Sequence, residues 1–95
     1  EIEDVIREME EIEDVSVAGI HHPKWAEFPC AFVNVRKGSR LAKTDILQYV
    51  HQKLERYKLV DVVICDKPLP RNPNGKVDKS QLRKMYQELA NTPGE

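Results

Sequence analysis

Between Leu69 and Lys84 the chain reads Leu-Pro-Arg-Asn-Pro-Asn-Gly-Lys-Val-Asp-Lys-Ser-Gln-Leu-Arg-Lys, and no other stretch restricts the fold as much. Pro70 and Pro73 fix φ and remove backbone donors, so the segment can be neither helix interior nor central strand. Asn74-Gly75 supplies residues that tolerate positive φ in a tight turn, which places Lys76 at the tip of a stiffened loop. Just beyond, Asp78 and Gln81 have the spacing of an N-cap and capping box. Leu82, Met85, Tyr86 and Leu89 then recur at i, i+3, i+4 and i+7, one face of a helix. The stretch separates a body before residue 69 from a terminal amphipathic helix.

In the body, Ile2, Val5, Ile6 and Met9 are helically spaced. Val15 to Ile20 reads as a first strand with Val15 and Val17 on one face, and Gly19 allows a turn or close approach. A loop from Ile20 to Pro29 leads to a second strand, Cys30 to Arg36, in which Ala31, Val33 and Val35 alternate with Phe32 and Asn34. Thr44 is placed to cap a helix whose apolar stripe is Ile46, Leu47, Val50, Leu54 and Tyr57. Leu59 to Cys65 is β-branched and is reached through that helix, which favours a right-handed crossover and parallel pairing with the second strand. The expected fold is α+β: a small two-layer domain, a mixed sheet of about three strands, three helices packed on one side, and a Pro/Gly-rich motif loop able to close as a short hairpin.

At 95 residues the chain makes one core and is short for an enzyme that must enclose its reactants. Its formal net charge is -1, which gives no bulk attraction to nucleic acid or membrane. The charge is segregated all the same. Residues 1–14 hold eight carboxylates against Arg7, which reads as a solvated helix face, whereas Lys67 to Lys84 holds Lys67, Arg71, Lys76, Lys79, Arg83 and Lys84 against Asp78.

Cys30 and Cys65 lie in apolar runs without metal-ligand spacing and read as reduced, buried thiols of an intracellular protein. His21 and His22 are adjacent, so in an extended segment they point to opposite sides, and no third ligand stands near; a metal site is not expected. Trp25 reads as a packing anchor of the loop. No apolar run is long enough to span a bilayer. The opening on uncapped helical residues without a methionine suggests a segment of a longer polypeptide.

Gly75-Lys76 invites comparison with a phosphate-cradling P-loop, but that motif needs glycine where Pro70 stands and Ser or Thr where Val77 stands. The pattern Pro70-Arg71-x-x-x-Gly75-Lys76-Val77-x-Lys79-x-x-Leu82-Arg83 instead resembles the last signature motif of the adenylate-forming superfamily: acyl- and aryl-CoA synthetases, luciferases, and adenylation domains of peptide synthetases. Asn72 stands where the family usually has Thr or Ser, and Lys79 where Arg is common. Lys24-Trp25-Ala26-Glu27 is similar to a Trp-Gly-Glu step of acyl-CoA synthetases, with Ala26 replacing the glycine. Tyr57-Lys58-Leu59 is similar to the family's helix-to-strand step. The resemblance covers nearly the whole chain and leans to the acyl-CoA synthetase branch, with fatty acid metabolism as its setting.

The resemblance implies the C-terminal lid domain, residues 1–95, of an ATP-dependent acid:thiol ligase, with a large N-terminal domain of the same chain as its partner and alternation of the lid between half-reactions. It implies Lys76 as the catalytic cation that assists acyl-adenylate formation, with Pro70, Arg71, Asn74, Gly75, Lys79 and Arg83 as motif support. ATP with Mg2+, coenzyme A and a carboxylic acid would be used by the full-length enzyme; this domain alone would hold no cofactor and show no turnover. A luciferase-like or carrier-protein-loading enzyme is the alternative within the family. A standalone module gripping nucleic acid or another anion is the rival outside it, disfavoured by few aromatics near the basic stretch and a net charge near zero. The cytoplasm is the default compartment, with the organelle open.

Overall fold

The computed structural model describes residues 2–21, 27–54 and 61–91. Its elements follow one another as helix Ile2–Arg7 (α1), strands Ile12–Ile20 (β1) and Phe28–Val35 (β2), helix Lys43–Lys53 (α2), strand Asp61–Cys65 (β3) and helix Lys79–Asn91 (α3). His22, Pro23, Lys24, Trp25 and Ala26, and the Tyr57-Lys58-Leu59 step, lie outside the described residues.

The sheet has the order β1-β2-β3. β1 and β2 pair antiparallel, Val15 opposite Val33 and Ala18 opposite Cys30, with a register shift between Ile12 and Asp14. β2 and β3 pair parallel, Ala31 opposite Val62 and Asn34 opposite Cys65, so the sheet is mixed as the connection through α2 requires.

Alternation along β2 divides the core. Ala31 and Val33 face a cluster with Val5 and Ile6 of α1, Val15 of β1, Ile46 and Val50 of α2, and Val62. Cys30 and Phe32 face the other way, onto Ala18, Ile20, Leu69 and Leu82 of α3. The α+β class and the mixed three-stranded sheet are as expected, but the helices do not share one side: α1 and α2 cover one face and α3 the other. The physical reason is that both faces of β2 are apolar, and Phe32, fully buried, needs its own cover.

Two local expectations are corrected. α2 starts before Thr44: its N-cap is Ala42, whose N–H donates to Oδ2 of Asp45 at 2.9 Å, and Lys43 and Thr44 already belong to the first turn. The acidic start is not one helical face, because α1 ends at Arg7 and the later carboxylates fall on the turn and β1. Several are engaged: Glu3 Oε2 accepts the Val17 N–H at 2.8 Å, and Glu8 Oε1 accepts the Tyr49 hydroxyl at 2.7 Å.

Candidate functional site

The proline-rich stretch folds as a short hairpin. Arg71 and Val77 form an antiparallel bridge, the Asn72 N–H donates to the Lys76 carbonyl at 2.7 Å, and the Gly75 N–H donates to the Asn72 carbonyl at 2.9 Å. Pro73, Asn74 and Gly75 make the turn, and Gly75 takes φ +89°, the left-handed position that a three-residue hairpin loop demands. No residue other than glycine has positive φ among those described, so Asn74 does not share this role; its Oδ1 instead accepts the Lys76 N–H at 3.4 Å. The tip is therefore Pro73 to Gly75, and Lys76 is the first residue of the returning strand rather than the tip itself.

Register decides where Lys76 points. Val77 packs with Met85 and Tyr86 against the α3-side core, and period-two alternation then turns Lys76 outward. Lys76 is exposed, and its Nζ has no hydrogen-bond or ion-pair partner among the described residues. The strand passes at once into α3: the Asp78 N–H donates to the Pro70 carbonyl at 2.9 Å, and Asp78 Oδ1 accepts the Ser80 and Gln81 N–H groups at 3.1 and 3.3 Å. The N-cap expected at Asp78 is present, but the capping box with Gln81 is not closed, because the Asp78 N–H goes to the Pro70 carbonyl and not to the Gln81 side chain.

The two motif arginines are not equivalent to Lys76. Arg71 donates from Nη1 to the Gly75 carbonyl at 3.0 Å and from Nη2 to Asp14 Oδ2 on β1. Arg83 donates from Nε to the Gly19 carbonyl near the far end of β1, at 2.9 Å. Both arginines brace the motif against the same strand. Lys79, one helical turn before Arg83, is exposed in the first turn of α3. The acidic and basic ends of the sequence thus meet at Asp14 and Arg71.

α3 is also tied to the start of β3. Tyr86 donates its hydroxyl to Asp61 Oδ2 at 2.9 Å, while Asp61 Oδ1 accepts from Lys43 Nζ at 3.2 Å and from the Val62 N–H at 2.8 Å. Burial alone would raise the Asp61 carboxyl; the bonds from Tyr86, Val62 and Lys43, with the Lys43 charge, outweigh it and hold the group below its ordinary value. Burial, then the Asp61 bond and charge, push Tyr86 up to about 12. Burial first, and the Asp61 charge second, push the Cys30 thiol up to about 12 as well. Cys30 is buried, whereas Cys65 is only half-buried.

The sequence reading missed Asp14, Asn34 and the Asp61–Tyr86 pair. Asn34 did leave a trace, as the polar residue following Cys30 and Phe32 on one face of β2. His21 is exposed, and among the described residues no three His, Cys, Asp or Glu side chains converge on a possible metal position. No helix among the described residues is long and apolar enough to cross a membrane.

The structure is thus a small mixed-sheet domain whose braced hairpin carries a lysine without a partner among the described residues, and comparison with known proteins gives it a family. Residues 1–76 match the AMP-binding enzyme C-terminal domain, and the chain belongs to that family; its homologues are acyl-CoA ligases of the adenylate-forming superfamily. It is 38% identical over 86 residues to a long-chain-fatty-acid–CoA ligase of Mycobacterium tuberculosis, covering 90% of this chain and 17% of that one. It is 33% identical over 92 residues to a peroxisomal butyrate–CoA ligase of Arabidopsis thaliana, covering 94% and 16%. Among solved structures, the Mycobacterium tuberculosis fatty acyl CoA synthetase superposes with a TM-score of 0.80 at 34% identity, over 94% of this chain and 18% of that one. ATP-bound MatB from Rhodopseudomonas palustris superposes with a TM-score of 0.81 at 30% identity, over 93% and 18%. The chain thus spans about a sixth of the length of the relatives it matches.

Proposed function

We propose that residues 1–95 act as the mobile C-terminal domain of an ATP-dependent acid:thiol ligase of the acyl-CoA synthetase type, and that Lys76 is its contribution to acyl-adenylate formation. The observation that carries this reading is the placement of Lys76: Arg71 and Arg83 are tied into the fold, while Lys76 stands on the braced hairpin, turned outward, with its ammonium free of any partner among the described residues, and Lys79, likewise exposed, stands on α3 instead. In the reaction a carboxylate attacks the α-phosphate of ATP, pyrophosphate leaves, and the acyl group passes from the adenylate to the thiol of coenzyme A. Negative charge gathers on the phosphate and carboxylate oxygens as they meet. A cation about 4 Å away, at an effective dielectric near 20, contributes on the order of 4 kcal/mol before its desolvation is subtracted. A rigid hairpin presents that charge without reorganisation, which is what makes such a contact effective in the transition state.

The division of labour implies that this domain supplies a charge and not a nucleotide pocket, so ATP, Mg2+, the carboxylic acid and most of the acyl pocket would be held by the large N-terminal domain of the same polypeptide. Removing residues 1–95 from the full-length ligase should cut carboxylate-dependent pyrophosphate release at least tenfold, and the 95-residue chain alone should release none. Full release by the truncated enzyme would refute the assignment. Two of the six cations in the basic stretch, Arg71 and Arg83, already serve β1, which weighs against the nucleic-acid reading.

A further inference from the structure

We propose that Asn34, at the end of β2, is a positioning residue for Lys76: it anchors the root of the hairpin to the sheet, and Asp14 in the same cross-strand row anchors its side. The proposal rests on the role proposed above for Lys76. An isolated two-stranded hairpin is marginal in water, so a turn as short as Pro73 to Gly75 cannot by itself hold a lysine in one direction relative to the domain. Its orientation has to come from where the segment before it is fixed.

That segment leaves β3 at Cys65 and loses its strand partner there. The Asn34 side chain takes the partner's place. Its Nδ2 donates to the Cys65 carbonyl at 3.1 Å and to the Lys67 carbonyl at 2.7 Å, and its Oδ1 accepts the Leu69 N–H at 3.3 Å. Two donors and one acceptor on a short planar group is what a carboxamide offers and neither Asp nor Leu can. Leu69, held this way, is 3% exposed and packs with Leu82 and Phe32. Its neighbour Pro70 accepts the Asp78 N–H, and Arg71 opens the hairpin.

Asp14, Asn34 and Cys65 are direct cross-strand partners, so they form one row across the sheet on the face that α3 covers. Asp14 holds Arg71, and Arg71 holds the Gly75 carbonyl one residue before Lys76. The row therefore grips the segment at residues 65, 67, 69 and 71, from two strands. Loss of the Asn34 grip leaves the hairpin folded but free to pivot, and a displacement of about 1 Å in a reacting or stabilising group can cost about 100-fold in rate.

The test is a pair of half-reaction assays on the full-length ligase, with Asn34→Ala, Lys76→Ala and the double variant. Asn34→Ala should slow pyrophosphate release from carboxylate and ATP about tenfold, while thioester formation from synthetic acyl-adenylate falls far less. Asn34→Asp, which faces a carboxylate toward two carbonyls, should be no better than Ala. In the Lys76→Ala background Asn34→Ala should add almost nothing, because the group it positions is gone. The same loss in both backgrounds, or an unchanged rate for Asn34→Ala alone, would overturn the proposal while leaving the role of Lys76 in place. Full activity of Lys76→Ala would remove both. If the Asn34 variants do not fold, Asp14→Asn loosens the same row from β1, and the same non-additivity with Lys76→Ala decides the matter.

Discussion

Gly75→Ala isolates the backbone requirement of the hairpin from everything around it. At φ +89° a Cβ built on Gly75 meets no atom within 4 Å, so the substitution creates no clash and its cost is local backbone strain. An L-residue in the left-handed region costs roughly 1–2 kcal/mol. For a domain of this size each kcal/mol lowers the melting temperature by about 4–8 °C. Gly38 is an internal control, with φ +88° and equally empty space, in a turn remote in sequence from the motif. Both alanine variants should melt lower by similar amounts, and Gly75→Asn should recover much of its loss, because Asn tolerates this region better than Ala. The functional readout should separate the pair: in the full-length ligase Gly75→Ala slows pyrophosphate release several-fold and Gly38→Ala does not. A Gly75→Ala protein as stable as the parent, or an Asn variant no better than Ala, would refute the strain argument. Equal rates for the two alanine variants would refute the link between the turn and Lys76.

Tyr86, held up at about 12 by burial and by Asp61, stabilises the fold fully below its unfolded value, near 10, and that contribution is lost as pH rises toward 12. Denaturant titrations should therefore show the protein losing stability between roughly pH 10 and 12, and Tyr86→Phe should lose less over that range. Asp61, held low, contributes above its unfolded value near 4 and is lost in stronger acid, so Asp61→Asn should flatten the acid limb. Thiol labelling should distinguish the cysteines: half-buried Cys65 should react with a maleimide well before buried Cys30, whose thiol is pushed up to about 12. Cys30 reacting first would contradict its full burial in the cluster that Phe32 and Leu82 share.

Local pattern carried much of this fold. The alternation in β2, the β-branched run entering β3 and the Asp78 cap all act over a few residues and appear where their spacing placed them, whereas the Pro-Asn-Gly turn is present with its positive φ on Gly75 alone and its tip one residue before Lys76. What local pattern does not carry is pairing across the chain. Arg71 with Asp14 and Arg83 with Gly19 join residues 57 and 64 positions apart, so the arginines read as a solvent-facing basic patch until the fold brings β1 beneath them. Thr44 has the chemistry of a cap, but the Asp45 carboxylate reaching back to Ala42 sets the start of α2 two residues earlier. The side taken by α3 was foreshadowed by the unbroken Cys30-Ala31-Phe32-Val33 run, since a strand apolar on both faces must be covered twice. Asn34 interrupts one of those faces, and only the geometry shows that the interruption is the anchor of the motif segment.

The most direct measurement of the central claim compares the two half-reactions of Lys76→Ala in the full-length ligase. Removing one preorganised electrostatic partner of a transition state costs roughly 10²- to 10³-fold in rate. Pyrophosphate release from carboxylate and ATP should therefore fall by at least tenfold, while thioester formation from synthetic acyl-adenylate and coenzyme A falls far less, because the joining of carboxylate and α-phosphate that Lys76 assists is already complete in the adenylate. Equal losses in the two half-reactions, with the variant folded, would contradict a cation specific to making the adenylate.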